Sequence, residues 1–201
     1  MHLHPWTGNT TQGALMETVL ATRGSAHFCV SREFQGIYLC PLADNLKDKF
    51  ASGTWDDYNE AYHCCRLIQD YGARPGLLMD FHTMSIGQEY LGLAIMSHGN
   101  IDPDIYAASG IHFSEPLDRV LLFNYFHISP AGRGNGTFWL DKVLIPWYAQ
   151  QGFSAMYFKS SHPKAFSLYQ RLGACIGEYT AKSDNGLFDR PGRIFRITLH
   201  G

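Results

Sequence analysis

Residues 128–138 read Ile-Ser-Pro-Ala-Gly-Arg-Gly-Asn-Gly-Thr-Phe, a composition suited to holding an anion. Glycines admit positive φ and let the backbone come close to a ligand, so successive N–H groups can turn toward one negative centre. A helix starting directly after the turn adds its unpaired first-turn amides and the positive end of its dipole, which together favour phosphate oxygens. Just ahead of the turn, His127 offers a neutral imidazole able to accept a proton near pH 7. Asp80 and His82 alternate with Met79 and Phe81 and so could share one face of a strand, while Glu115 and Asp118 precede the apolar run Val120 to Phe126. Each is a candidate for proton transfer, and the residues alone do not choose among them.

Such side chains act only if regular elements hold them. Val120 to Phe126 is expected to be a strand leading into the turn. From Thr137 to Gln151, Leu140, Val143, Leu144 and Trp147 recur at i, i+3, i+4, i+7, the spacing of one apolar helical face. Pro146 should kink that helix or end its regular part early, and Gly152 should stop it. Phe153 to Phe158 then reads as a strand. Ser160-Ser161-His162-Pro163 starts a second helix that carries Phe166, Tyr169 and Leu172 and closes at Gly173. Ala174 to Ala181 and Arg193 to Leu199 are expected as the last strands, joined through a surface turn at Asp184 to Arg190. In the other half, Met1 to Gly36 carries weak patterning. Ile37 to Leu42 is expected as a first strand and Asp44 to Phe50 as a short helix. Thr54-Trp-Asp-Asp57 is expected to cap a helix bearing Tyr58, Ala61, Tyr62, Cys65 and Ile68. Leu77 to Met84 and Gln88 to Ser97 should form a hairpin. Asn100 to Pro116, rich in Gly, Pro, Asp and Ser, is expected to be a functional or mobile insertion.

The order strand, turn, helix, strand, helix resembles that of the GNAT superfamily of N-acetyltransferases, on two residue patterns. The superfamily's acetyl-CoA signature is Arg/Gln-x-x-Gly-x-Gly/Ala after an apolar residue, a spacer and a proline. Here Ile128-Ser-Pro130 supplies the approach and Arg133-Gly-Asn-Gly136-Thr-Phe138 the signature. A later pattern, Asn-x-x-Ala-x-x-x-Tyr-x-x-x-Gly, lines up with His162, Ala165, Tyr169 and Gly173 at the same spacings. The match runs from about Val120 to Ala174. Phe138 stands where Gly or Ala is usual, and His162 where Asn is common. The resemblance implies a mixed α/β (α+β) fold within a single domain spanning 1–201. Helices would flank a central, mostly antiparallel sheet, with a β-turn-α-β-α block for acetyl-CoA in the C-terminal half.

It also implies a function: transfer of an acetyl group from acetyl-CoA, used as co-substrate without a metal, to a primary amine of a small molecule or peptide. The amine would attack the thioester directly. Arg133, Gly134, Asn135, Gly136 and Thr137 would hold the pyrophosphate. The pantetheine arm would pair with the strand end from Phe126 to Ile128, and His162 would contact the coenzyme. A backbone N–H near His127 or Ile128 would face the developing oxyanion. Tyr169 would protonate the departing thiolate, for which a phenol is a suitable donor. The acceptor groove would be built from the N-terminal helices, the 100–116 insertion and the final hairpin. Two other functions stay open: the same fold acting on a nucleic-acid base or aminoacyl-tRNA, and a non-catalytic acyl-CoA-binding module, which Phe138 and His162 would favour. A homodimer is compatible with the sequence.

The remaining composition narrows the classes. The chain has 201 residues, 45% hydrophobic and 14% aromatic, which suits one ordinary globular domain. A net charge of -2 and a pI near 6.5 lack the basic footprint of a nucleic-acid binder. Five cysteines, with Cys64 and Cys65 adjacent, read as reduced thiols rather than a disulfide framework. No local signature makes one of them a nucleophile, and His2, His4, His63, Cys64 and Cys65 do not fit zinc-ligand spacing. No basic-then-apolar leader or membrane-length apolar run is apparent, so a cytoplasmic location is expected.

Overall fold

A computed structural model describes residues 17–53 and 58–200. Eight strands form one sheet: β1 (Thr18–Arg23), β2 (Ala26–Ser31), β3 (Leu77–Ile86), β4 (Glu89–Gly99), β5 (Val120–Ile128), β6 (Ala155–Ser160), β7 (Ala174–Lys182) and β8 (Asp189–Thr198). Their order across the sheet is β1-β2-β3-β4-β5-β6-β8-β7. Every neighbouring pair is antiparallel except β5 and β6. A parallel pair needs a crossover, and the helix of residues 136–150 supplies it.

That parallel ladder is short. It joins Val120 to Ala155, Leu121 to Met156 and Leu122 to Tyr157, and then stops. A bulge in β5 coincides with the break. Tyr125 pairs with Ile95 and Phe123 with Met96, so Asn124 is the extra residue between them. The bulge resets the alternation, leaving Phe123, Phe126 and Ile128 on one face and Tyr125 on the other. Beyond it, one edge of the β5 backbone faces a gap instead of a partner strand. Asn124 is held by a hydrogen bond from its Nδ2 to Ser97 Oγ at 2.8 Å.

Helices cover both faces. One face carries α3 (residues 136–150) and α4 (Pro163–Leu172), whose Trp139, Leu140, Leu144, Tyr148, Phe166 and Tyr169 pack on the sheet. Helix α3 has an α-helical turn at Gly136–Phe138, a π-helical stretch at Trp139–Leu144 and a final α-helical part at Ile145–Gln150. The wide turn precedes Pro146, whose ring would strike the carbonyl four residues back in a regular helix; the expected irregularity takes this form.

The opposite face carries α1 (Cys40–Ser52) and α2 (Glu60–Gly72) over Phe81, Leu93 and Ile95. Ile37 to Leu42 is not a strand as expected. It forms a 3-10 turn at Gly36–Leu39 and then the start of α1. Pro41 in the first helical turn explains this, since its fixed φ suits that position and its missing N–H costs nothing there. The Thr54 to Asp57 cap expected for the next helix lies outside the described residues. Asn59 is the N-cap, its side chain accepting a hydrogen bond from the Tyr62 N–H at 3.0 Å.

The β1–β2 hairpin was not legible in the weakly patterned N-terminal segment. The 100–116 insertion is well anchored: Ile101 and Tyr106 are buried with Val120, Leu122, Ala155, Tyr157 and Ile194. Glu115 accepts hydrogen bonds from the Arg196 guanidinium and from Tyr157 Oη. The segment is a packed cover over one end of the sheet.

Candidate active site

Where β5 and β6 part, the sheet opens into a cleft of about 490 Å³. Its walls come from Phe123 to Ile128 of β5, Phe158 to Ser160 of β6, and Ser161, His162, Ala165, Leu168 and Tyr169 of the loop and α4. Tyr58 and Glu60 close it from the α1–α2 side, and Tyr179 and Arg190 from the final hairpin. Of the expected site residues, Phe126, His127, Ile128, His162 and Tyr169 all line this one space. The Gly-rich turn follows directly from its rim at Ile128.

The turn has the features needed to hold phosphate. The Gly132 N–H donates to Ser129 O and the Arg133 N–H to Pro130 O, while the Trp139 N–H donates to Asn135 O as the first α-helical bond of α3. The N–H groups of residues 134–138 therefore have no partner in the turn or in the helix that follows. Gly134 sits at φ +89°, a conformation that side chains other than glycine seldom adopt. Gly132 is buried against the sheet, where a Cβ would overlap Met84 Cε and come within 2.8 Å of Ile128 Cγ2. The side chain of Arg133 and that of Thr137 are exposed beside the free amides. Phe138 does not intrude on them: its ring packs on Phe28 of β2, with centroids 5.4 Å apart.

Tyr169 is almost fully buried among Phe123, Phe158 and Phe195. Its hydroxyl makes no hydrogen bond among the described residues, and burial pushes its pKa up to about 12. The phenol therefore keeps its proton at neutral pH and is available as a donor into the cleft.

His127 answers it from the opposite wall. Burial lowers its pKa below the usual 6.5, against the opposing influence of Glu60 and the Pro41 carbonyl, so the ring is neutral at pH 7. Its Nε2 is buried without a hydrogen-bond partner.

The other candidates for proton transfer are elsewhere. Asp80 and His82 do share a face, but it is the one covered by α3, in a buried network. Tyr148 Oη donates to Asp80 Oδ2 at 2.9 Å and lies 2.7 Å from His82 Nε2, and His98 Nε2 lies 3.2 Å from the same Asp80 oxygen. Burial raises the Asp80 pKa, but hydrogen bonds from His98 and Tyr148 outweigh it and hold the carboxyl below its ordinary value. Glu115 is taken up by Arg196 and Tyr157, and neither it nor Asp118 lines the cleft. Cys64 is buried, with its thiol pushed up to about 12, a poor nucleophile. His63 pairs with Asp184 at 2.9 Å; His2 and His4 lie outside the described residues. Among the described residues no cluster of three or more potential ligands could hold a metal ion.

Several cleft residues carry no local sequence signal. Glu60 is ion-paired to Lys49 at 2.8 Å, and Tyr125 Oη donates to the Glu60 carbonyl at 3.3 Å. Lys159 lies 5.9 Å from the centre of the Tyr179 ring, and Arg190 lies 5.6 Å from that of Tyr58. The turn of the final hairpin, Asp184 to Arg190, borders the cleft through Arg190, and Asp184 accepts from the Asn59 N–H at 3.1 Å. No residue of the 100–116 insertion lines the cleft, which corrects its expected place in the acceptor groove.

No family model matches the chain, and no curated protein matches it in sequence. Solved structures do match it in shape. One described as an acetyltransferase of the GNAT family from Desulfovibrio desulfuricans aligns with a TM-score of 0.53 at 12% identity, covering 87% of this chain and 99% of that one. The ribosomal-protein-S18-alanine N-acetyltransferase of Escherichia coli gives 0.52 at 11%, covering 87% and 95%. A GNAT superfamily phosphinothricin acetyltransferase from Sinorhizobium meliloti, solved with AcCoA, gives 0.52 at 16%, covering 88% and 90%. From β1 to β8, with the cleft between the two parallel strands, this chain has the fold of the GNAT acetyltransferases.

Proposed function

We propose that the protein is an acetyl-CoA-dependent N-acetyltransferase acting on a primary amine of a small molecule or peptide. The observation that carries this reading is the pairing of two features on one path: unpaired amides at 134–138, and a cleft with a protonated phenol on one wall and a neutral imidazole on the other. The amides and the Arg133 side chain would hold the pyrophosphate of the coenzyme. The unpartnered edge of β5 beyond Leu122 suits an amide-bearing arm, which can add to it as a strand would. Bound there, acetyl-CoA would supply the acetyl group as an activated thioester.

The chain's own groups then divide the work. His127 takes the proton of the acceptor amine, since it lines the cleft and burial keeps its ring neutral. An N–H at the His127–Ile128 end of β5 faces the charge that develops on the carbonyl oxygen, a contribution of roughly 3 kcal/mol. Tyr169 donates its proton to the departing sulfur. Holding both reactants between these walls removes most of the entropic cost of their encounter. The acceptor enters from the side of Tyr58, Glu60, Tyr179 and Arg190. No described helix is long and apolar enough to cross a membrane.

The test is release of free thiol from acetyl-CoA, followed against polyamines, amino acids, aminoglycosides and peptides. Amine-dependent release by the wild type is expected. Coenzyme binding with no turnover across such a panel would instead make the protein a binding module.

A further inference from the structure

The turn at 132–136 is held by a residue more than a hundred positions away. Arg23, the last residue of β1, donates from Nη1 to the Gly134 carbonyl at 3.0 Å and to Asn135 Oδ1 at 3.3 Å. Its guanidinium carbon also lies 5.2 Å from the centre of the Phe138 ring. Asn135 is gripped at both ends, since its Nδ2 donates to the Gly132 carbonyl at 3.0 Å. No carboxylate among the described residues lies within ion-pair distance of Arg23.

Three consequences follow from elementary geometry and charge. In a trans peptide the carbonyl of one residue and the N–H of the next point in opposite directions. Anchoring the Gly134 carbonyl on Arg23 therefore aims the Asn135 N–H away from Arg23, toward the side left for an anion. The clamp also opposes the conformational freedom of Gly134 at its positive φ, so the amides are ordered before a ligand arrives. Finally, an arginine without an acid partner leaves its charge beside the turn, where it adds to that of Arg133.

We propose that Arg23 is a positioning residue for coenzyme binding: it sets the phosphate-facing amides of residues 134–138 through Gly134 and Asn135, and it stacks on Phe138. The large side chain at position 138, where the resembling proteins carry a small one, becomes the platform for that arginine. This inference rests on the acetyl-CoA reading above.

The experiment measures CoA binding by calorimetry, steady-state kinetics with acetyl-CoA and thermal unfolding for the wild type, Arg23→Gln, Arg23→Lys and Asn135→Ala. Arg23→Gln should weaken CoA binding and raise KM for acetyl-CoA by about ten-fold or more, with kcat within about two-fold and little change in melting temperature. Arg23→Lys, which keeps the charge but not the two-point clamp, should recover part of the loss. Asn135→Ala, which removes one of the two Arg23 hydrogen bonds and the tie to the Gly132 carbonyl, should raise KM in the same direction. Wild-type CoA binding that Arg23→Gln leaves within about two-fold overturns the proposal, as does a variant whose kcat and melting temperature fall together while KM holds. Failure of the wild type itself to bind CoA overturns the coenzyme reading, a result distinct from either.

Discussion

Tyr169→Phe removes one oxygen atom from the cleft and leaves the ring that supports it. The ring sits 4.8 Å from Phe158 and 5.5 Å from Phe195, centre to centre, and Phe keeps both contacts. Because the hydroxyl bonds to no described residue, its loss strands no partner, and stability should change by less than about 1 kcal/mol. For a chain of this size that is a melting-temperature shift under about 4 °C. Catalysis should respond differently. A placed general acid contributes roughly 10²- to 10⁴-fold, equivalent to about 3–5 kcal/mol of barrier. The assay is thiol release at saturating acetyl-CoA and acceptor, with CoA affinity measured alongside. A fall in kcat of at least about a hundred-fold with unchanged CoA affinity is expected. A variant within about five-fold of wild type would refute the assignment of Tyr169 as proton donor.

Other outcomes follow from the same geometry. His127→Gln should lower kcat by roughly 10²-fold or more and remove the acid limb of the pH–rate profile; in the wild type, activity should fall as pH drops through the lowered His127 pKa, below 6.5. Gly132→Ala should push the turn off the sheet, costing about 1–3 kcal/mol of stability and weakening CoA binding, both readable by thermal shift. His82 is buried neutral with its pKa lowered to about 4, so the unfolded chain takes up its proton first as pH falls. Stability should therefore decline between pH 6.5 and about 4, as denaturant titrations at stepped pH would show. Tyr148→Phe takes a donor from buried Asp80, so its carboxyl pKa should rise and acid unfolding begin at higher pH than in the wild type.

The parts of the site legible in sequence are those made by neighbours along the chain. Residues 128–138, the α3 and α4 faces and the strand between them depend on turn chemistry and periodicity confined to short windows. Glu60, Lys159, Arg190 and Arg23 reach the site only through tertiary contacts, and nothing around each of them marks it. The β1–β2 hairpin was obscured by β1, which lies at the sheet edge, is largely exposed and has a register shift between Val19 and Ala21 that breaks its alternation. Ile37 to Leu42 shows the ambiguity of a short apolar run, which suits a strand or a buried helical turn equally. Pro41 decides for the helix. Asp80 and His82 were rightly placed on one face, but that face belongs to Tyr148 and not to the cleft. Alternation reports that two residues share a side, not what covers it.

The central claim is that coenzyme phosphates rest on the amides of residues 134–138 while its thioester reaches the cleft between His127 and Tyr169. A crystal structure of the protein with acetyl-CoA tests it most directly. The account predicts the pyrophosphate on those amides, the pantetheine arm along Phe126 to Ile128, and the sulfur beside the Tyr169 hydroxyl. Coenzyme bound elsewhere, or none bound at millimolar concentration, would contradict it.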